Sequence, residues 1–206
     1  MILVHHLRIG RPLFTVWLLE ELGLEYDLKV YHRNPNTMRA QADLKEAHPL
    51  GKSPVIEDGD IKLAESGAIA SYLIDTYDKA GKFAPPTSER AARANYTQWL
   101  HYPEGSAFAP LIMKLLLKAE KEPKPPVVDG FATSEVALHL GYIQDQLGDK
   151  PFILGDNIQG PDFGLTYVVE LAQRLGELAP YPKLEAYLAR NKHRPAFLRA
   201  VERAVE

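Results

Sequence analysis

Apolar positions along the chain follow two rhythms. In the first 77 residues, short β-rich runs alternate with helical spacing. Ile2 to His5 is a strand-like run. Phe14, Trp17, Leu18 and Leu22 then recur on one helical face, which Gly23 ends. Tyr26 to Tyr31 (YDLKVY) reads as a second strand and Met38 to Ala47 as a short helix. Pro54 to Glu57 and Ile61 to Leu63 flank Asp58-Gly59, a hairpin turn signal, so they are expected to pair antiparallel. A third helix spans about Glu65 to Tyr77. The order is β-α-β-α-β-β-α.

The rhythm changes after KAGKFAPPTS (residues 79–88), a stretch rich in Gly, Pro and Ser that reads as a linker. Beyond it every periodic segment is helical. One long helix runs from Arg90 through Trp99, Leu100, Phe108, Ile112 and Leu116, and KEPKPPVVD (121–129) breaks it. Val136, Leu140, Ile143 and Leu147 share a face, as do Gly164, Val168, Leu171 and Leu175. Tyr181 to Asn191 and Ala196 to Val205 complete the set. The pattern predicts an α/β domain over residues 1–80 and an all-α domain over 88–206.

Composition narrows the chemistry. The chain of 206 residues has a net charge of -3, which gives no basic field for nucleic acid or an acidic membrane. It has no cysteine, so disulfides, thiolate metal sites and a protein-thiol disulfide reductase are excluded. MILVHHLRIGR is not a signal peptide, and no apolar run approaches the roughly 20 residues of a membrane span. A cytoplasmic protein without a metal is the expectation.

Two stretches carry specific signals. In HPLGKSPVI (48–56), Pro54 sits at a strand entrance, where proline is tolerated. It is either an ordinary trans proline of an edge strand or a cis proline. The cis form turns the groups of the preceding residue, Ser53, toward an extended peptide. In LAESGAIASYL (63–73), Glu65 and Ser66 open a helix, where Ser66 either caps it or helps to hold an anion.

HHL, WLLEELGL, HPLGKSPVI, LAESGAI and HYPEGS, followed through a Pro-rich linker into a helical half, resemble the cytosolic glutathione transferase (GST) family. The match covers essentially the whole chain and is most similar to a bacterial and fungal branch outside the named mammalian classes. The resemblance implies a thioredoxin-like first domain that binds glutathione and a helical second domain that takes a hydrophobic electrophile. It implies a cis Pro54 and pairing of the Ser53 backbone with the cysteinyl unit, the Ser53 side chain mattering little. It places Lys52 near the glycyl carboxylate, unless Lys52 is merely a solvated surface lysine. Glu65 and Ser66 would hold the γ-glutamyl end. Trp99, Tyr102, Ser106 and Met113 become electrophile-pocket candidates, while Phe108, Ile112 and Leu116 read as core. Relatives cap the buried sixth helix with Ser or Thr and place Asp three residues later. Here Asp162 is present, Gln159 takes the cap position, and the role is read as folding. A two-fold homodimer is also implied.

The same resemblance exposes a departure. Aligning WLLEEL puts Ile9 and Gly10 where relatives carry Asn and Ser, the donors to the glutathione sulfur. The position of the Tyr used by other classes falls on His5, and no Tyr, Ser or Cys precedes Thr15. A thiol has a pKa of about 8.5. Each unit by which it is lowered needs about 1.4 kcal/mol of preference for the thiolate. Losing one placed donor to a developing anion costs about 10²- to 10³-fold in rate. The residues left to compensate are Gly10 as a backbone N–H donor and helix cap, Pro12 in the first turn, and Arg11 as a cation. Arg11 reads equally as a solvent-facing or ion-paired side chain. His5 reads as a satisfied core histidine, with His6 on the opposite face. Three activities remain open: conjugation, glutathione or ligand binding without conjugation, and a peroxidase or reductase using the ligand's own sulfur. A scaffold without a glutathione site is disfavoured by the retained Lys52, Ser53, Pro54, Glu65 and Ser66.

Overall fold

The computed structural model describes residues 1–204. Its compact units are Met1–Ala80 together with the chain from Lys192 onward, and Gly81–Asn191.

The first unit is built on a four-stranded sheet of β1 (Ile2–Leu7), β2 (Tyr26–Tyr31), β3 (Val55–Asp58) and β4 (Ile61–Ala64), in the order β2-β1-β3-β4. β1 pairs parallel with β2 and antiparallel with β3, and β3 pairs antiparallel with β4 through the Asp58-Gly59 turn. The helices are α1 (Pro12–Leu22), α2 (Leu44–Ala47) and α3 (Ser66–Tyr77). This is the thioredoxin-like arrangement. Val4, Val16, Trp17, Leu19, Val55, Ile56, Ile69 and Leu73 are buried in this unit. Parallel β1 and β2 need a crossover, and the apolar α1 supplies it. Gly23 ends α1 in the left-handed conformation at φ 67°, which glycine adopts at no steric cost.

The helix expected over Met38 to Ala47 shrinks to Leu44–Ala47. Only Leu44 and Ala47 of the segment are buried, and of residues 38–43 Ala40 alone packs on that cluster, too little to hold a helical face. Arg33 and Ala40 form an isolated antiparallel bridge instead.

The last helix, α9 (Pro195–Ala204), joins the first unit rather than the helical one into which the periodicity places it. Phe197 packs edge-on against Trp17 and beside Phe14 of α1. Arg194 and Arg199 pair with Glu21 and Glu20. The expected end of this helix at Val205 lies outside the described residues.

The second unit holds α4 (Arg90–Tyr102), α5 (Phe108–Leu117), α6 (Pro126–Leu147), α7 (Gly160–Leu175) and α8 (Pro182–Lys192). The long helix expected from Arg90 to Leu116 is interrupted by a π-turn over Pro103–Ala107. Pro103 has no N–H for the carbonyl four residues back, and Phe108 N–H reaches the Pro103 carbonyl across the wider turn. The expected break over 121–129 ends early, since α6 begins at Pro126, where a proline suits the first turn. Phe83, within the expected linker, is buried against Phe163, and its carbonyl accepts the Gly160 N–H at 2.8 Å.

Asp162 is the polar centre of this unit and is fully buried. Its carboxylate accepts the N–H groups of Gln159 (2.9 Å) and Ile153 (3.1 Å) and the Tyr187 hydroxyl (2.9 Å). Its main-chain carbonyl accepts the Thr166 hydroxyl, and Thr166 in turn accepts from Asn191. No helix among the described residues is long and apolar enough to cross a membrane.

Candidate functional site

The end of β1 and the loops around it bring the first-unit candidates together. The Ser53–Pro54 peptide is cis. The Ser53 hydroxyl donates to the His5 carbonyl at 2.5 Å and accepts the Leu7 N–H at 3.2 Å. Whatever the Ser53 side chain contributes to a ligand, its hydroxyl stitches the loop to β1. His5 is a satisfied core histidine, with Nδ1 at 2.7 Å from the Tyr31 hydroxyl and Nε2 at 3.1 Å from Glu57. His6 is also buried. Neither imidazole is available to a solvent-side ligand.

Glu65 and Ser66 sit at the head of α3. Ser66 is the first helical residue, and Glu65 precedes it at φ 71°. For a non-glycine residue this left-handed backbone costs about 1–3 kcal/mol and persists where neighbouring structure enforces it. The Glu65 side chain is exposed.

The start of α1 differs from the expectation. Arg11, not Gly10, is the cap, and Pro12 opens the helix. Phe14 N–H is spent on the Arg11 carbonyl (3.0 Å) and Leu13 N–H on that of Gly10 (3.4 Å). The first turn therefore leaves fewer N–H donors open than a helix terminus usually does.

The side-chain charge here is larger than the sequence suggests. Lys52 has its pKa pushed down, first by partial desolvation and then by the charges of Arg39, Arg11 and Arg33. Four cations thus share one region. Arg33 is half-buried and bridges two loops: its Nη2 donates to the Ile9 carbonyl and its Nη1 to the Met38 carbonyl, each at 3.0 Å. Among the described residues no carboxylate forms an ion pair with Arg33, Arg39 or Lys52. Neither Arg33 nor Arg39 stands out in the sequence, because both lie in the polar loop after β2 with no periodic neighbours.

In the helical unit, Tyr102, Ser106 and Met113 are half-buried along α4, the π-turn and α5. Trp99 is only 2% exposed and stacks on Tyr142 at 5.5 Å between ring centres, with Tyr102 edge-on at 5.0 Å. It supports the aromatic group from behind instead of facing a ligand. The Tyr102 hydroxyl lies 2.6 Å from His139 Nδ1, and His139 Nε2 lies 3.7 Å from Glu135. Burial, then the neighbouring Tyr142, pushes the Tyr102 phenol up to about 12. His139 and Tyr142 are partners the sequence reading misses. The available signal was the face 135, 139, 142 of α6, adjacent to its apolar face.

Residues 1–75 match the family model for the glutathione S-transferase N-terminal domain. The chain is 31% identical over 201 residues to the glutathione S-transferase-like protein OpS6 of Beauveria bassiana, an alignment covering 93% of this chain and 89% of that one. It is 29% identical over 217 residues to Glutathione S-transferase 3 of Schizosaccharomyces pombe, covering 98% and 88%. A solved glutathione S-transferase from Actinobacillus pleuropneumoniae superposes with a TM-score of 0.90 at 34% identity, covering 100% of this chain and 93% of that one.

Proposed function

Since the chain belongs to the glutathione S-transferase family, we propose that it binds glutathione on its first unit and conjugates the thiolate to a small hydrophobic electrophile. The observation that carries this reading is Glu65, an exposed residue held at φ 71° at the head of a 12-residue helix. Backbone strain of this kind collects at ligand clamps. In this reading Glu65 takes the γ-glutamyl ammonium and Ser66 its carboxylate, the latter favoured by the helix dipole. The Ser53 backbone pairs with the cysteinyl unit as an added strand. Lys52 meets the glycyl carboxylate as a point charge.

The sulfur then lies near Gly10 and Arg11. A cation there favours the thiolate, and glycine lets the ligand come close to the backbone. The thiolate attacks the electrophilic carbon, an S–C bond forms, and the bond to the leaving group breaks with its electron pair. In an addition, the pair instead moves onto an atom that then takes a proton. The electrophile is received by Tyr102, Ser106 and Met113 in a mostly apolar setting, which such sites favour. A cytoplasmic homodimer belongs to the same reading, supported by the absence of cysteine and by the prevalence of closed two-fold symmetry.

Calorimetry with glutathione, run beside an electrophile panel, tests the reading. Binding with glutathione-dependent turnover supports it. Binding with no rate above background replaces it with a ligand-binding role, and no binding at millimolar glutathione overturns it. Turnover of peroxides or disulfides in place of electrophiles assigns a redox reaction on the ligand's own sulfur.

A further inference from the structure

The space beside Gly10 is occupied by an arginine from another loop. A Cβ built on Gly10 would lie 3.2 Å from Arg33 Nη2, nearer than Pro12 Cδ at 3.5 Å or the Leu7 carbonyl at 3.7 Å. A side chain on residue 10 would therefore begin in tight contact with this guanidinium. A methyl group there requires the arginine to shift by a few tenths of an ångström.

Arg33 is held in that place by design of the loops. Its two carbonyl acceptors belong to Ile9 at φ 58° and Met38 at φ 54°. Left-handed backbone is unfavourable for a β-branched isoleucine. Both side chains are more than half exposed, so neither conformation is compensated by burial of its own side chain. Two strained residues on different loops each turn a carbonyl toward the same guanidinium. Among the described residues only two of its five N–H groups are used, and no carboxylate neutralises it. The fork geometry remains available to an anion while its plane is fixed by the protein.

We propose that Arg33 is the group that faces the glutathione sulfur, its guanidinium taking the place of the donor side chain that Gly10 does not supply. This rests on the glutathione reading above. Arg33 then acts as a catalytic residue by stabilising the thiolate, with Arg11 and Arg39 adding to the same field.

The test separates the sulfur from the rest of the ligand. The thiolate absorbance of bound glutathione is titrated against pH for wild type, Arg33→Gln, Arg33→Lys and Gly10→Ala. Affinity for S-methylglutathione, which has no ionisable thiol, is measured by calorimetry on each. Arg33→Gln is expected to raise the bound thiol's pKa by about one unit, roughly a tenfold loss of thiolate at neutral pH, with S-methylglutathione affinity unchanged. Arg33→Lys keeps the charge and recovers part of the effect. Gly10→Ala displaces the guanidinium without removing it and shifts the pKa the same way, which covers the case of a poorly folded Arg33 variant. An unchanged thiol pKa in Arg33→Gln, or an unchanged pKa with weaker S-methylglutathione binding, overturns the inference and reassigns Arg33 to a carboxylate. Failure of the wild type to bind S-methylglutathione overturns the glutathione reading and this inference with it.

Discussion

Glu21 and Arg194, 173 residues apart in the chain, meet as a two-pronged pair, with Arg194 Nε at 2.5 Å and Nη2 at 2.9 Å from the two carboxylate oxygens. Glu21 also accepts the Trp17 indole N–H at 3.0 Å. The pair fixes the chain just before α9 to α1. Hydrogen bonds to charged groups of this kind contribute about 1.5–3 kcal/mol each, less where water reaches them. Arg194→Ala is expected to destabilise the protein by about 1–3 kcal/mol. Urea denaturation measures it, and a shift below the lower figure shows that apolar packing around Phe197 alone holds α9.

Glu20 works beside it under a pH constraint. Burial pushes its carboxyl up, but hydrogen bonds from Tyr26 and Arg199 and the charges of Arg199 and Arg203 outweigh this, so the net pKa is lowered. A lowered carboxylate stabilises the folded state fully above its unfolded value. The benefit is lost as pH falls through the folded value. Glu20→Gln should therefore lower Tm near neutrality, with the gap to wild type closing below about pH 4. Paired melts across that range check it, and a gap that stays constant removes Glu20 from the acid response.

Asp162 is expected to be a folding residue with no catalytic share. Replacing it with Ala leaves the buried Ile153 N–H, Gln159 N–H and Tyr187 hydroxyl without their acceptor. The cost should be about 3–5 kcal/mol. Asp162→Asn keeps an acceptor oxygen and should lose less. The check is the midpoint of chemical unfolding, with per-molecule activity of the remaining folded fraction unchanged.

Lys52→Ala should raise the KM for glutathione and leave kcat nearly constant, because a contact to the distal carboxylate binds ground state and transition state alike. Ser53→Val should behave differently, since it removes the bridge from the hydroxyl to His5 and Leu7. A loss of stability of about 1–3 kcal/mol is expected there. Steady-state kinetics and melting on the two variants separate binding from folding.

Tyr102→Phe removes the hydroxyl that meets His139 and should change the KM for the electrophile while leaving that for glutathione alone. Equal KM values for both substrates in wild type and variant would take Tyr102 out of the electrophile site.

Much of this molecule is legible from its residues because local rules govern it. The alternation in Tyr26–Tyr31, the Asp58-Gly59 turn, the face Val136, Leu140, Ile143 and Leu147, and Gly23 as a helix stop all depend on near neighbours in sequence. What escaped depends on distant partners. Arg33 meets Ile9 across 24 positions, and nothing in HRNPNTMRA marks one of its two arginines as a clamp. The strained backbone at Ile9, Met38 and Glu65 is equally silent, since none of these types favours a positive φ. The amphipathic spacing of α9 could be read, but not which unit would receive it.

The π-turn at Pro103–Ala107 has a consequence for how the helical unit can vary. An α-helix advances about 100° per residue, and the wider turn resets that phase between Tyr102 and Phe108. Which α5 side chains face the same way as Tyr102 is therefore set by a count of residues, independent of their identity. Deleting Gly105 would merge α4 and α5 into one phase and swing Met113 by about a quarter of the circumference. Insertion or deletion of one residue at Gly105 thus forms a dial for re-aiming the α5 face, one that leaves every α5 side chain unaltered.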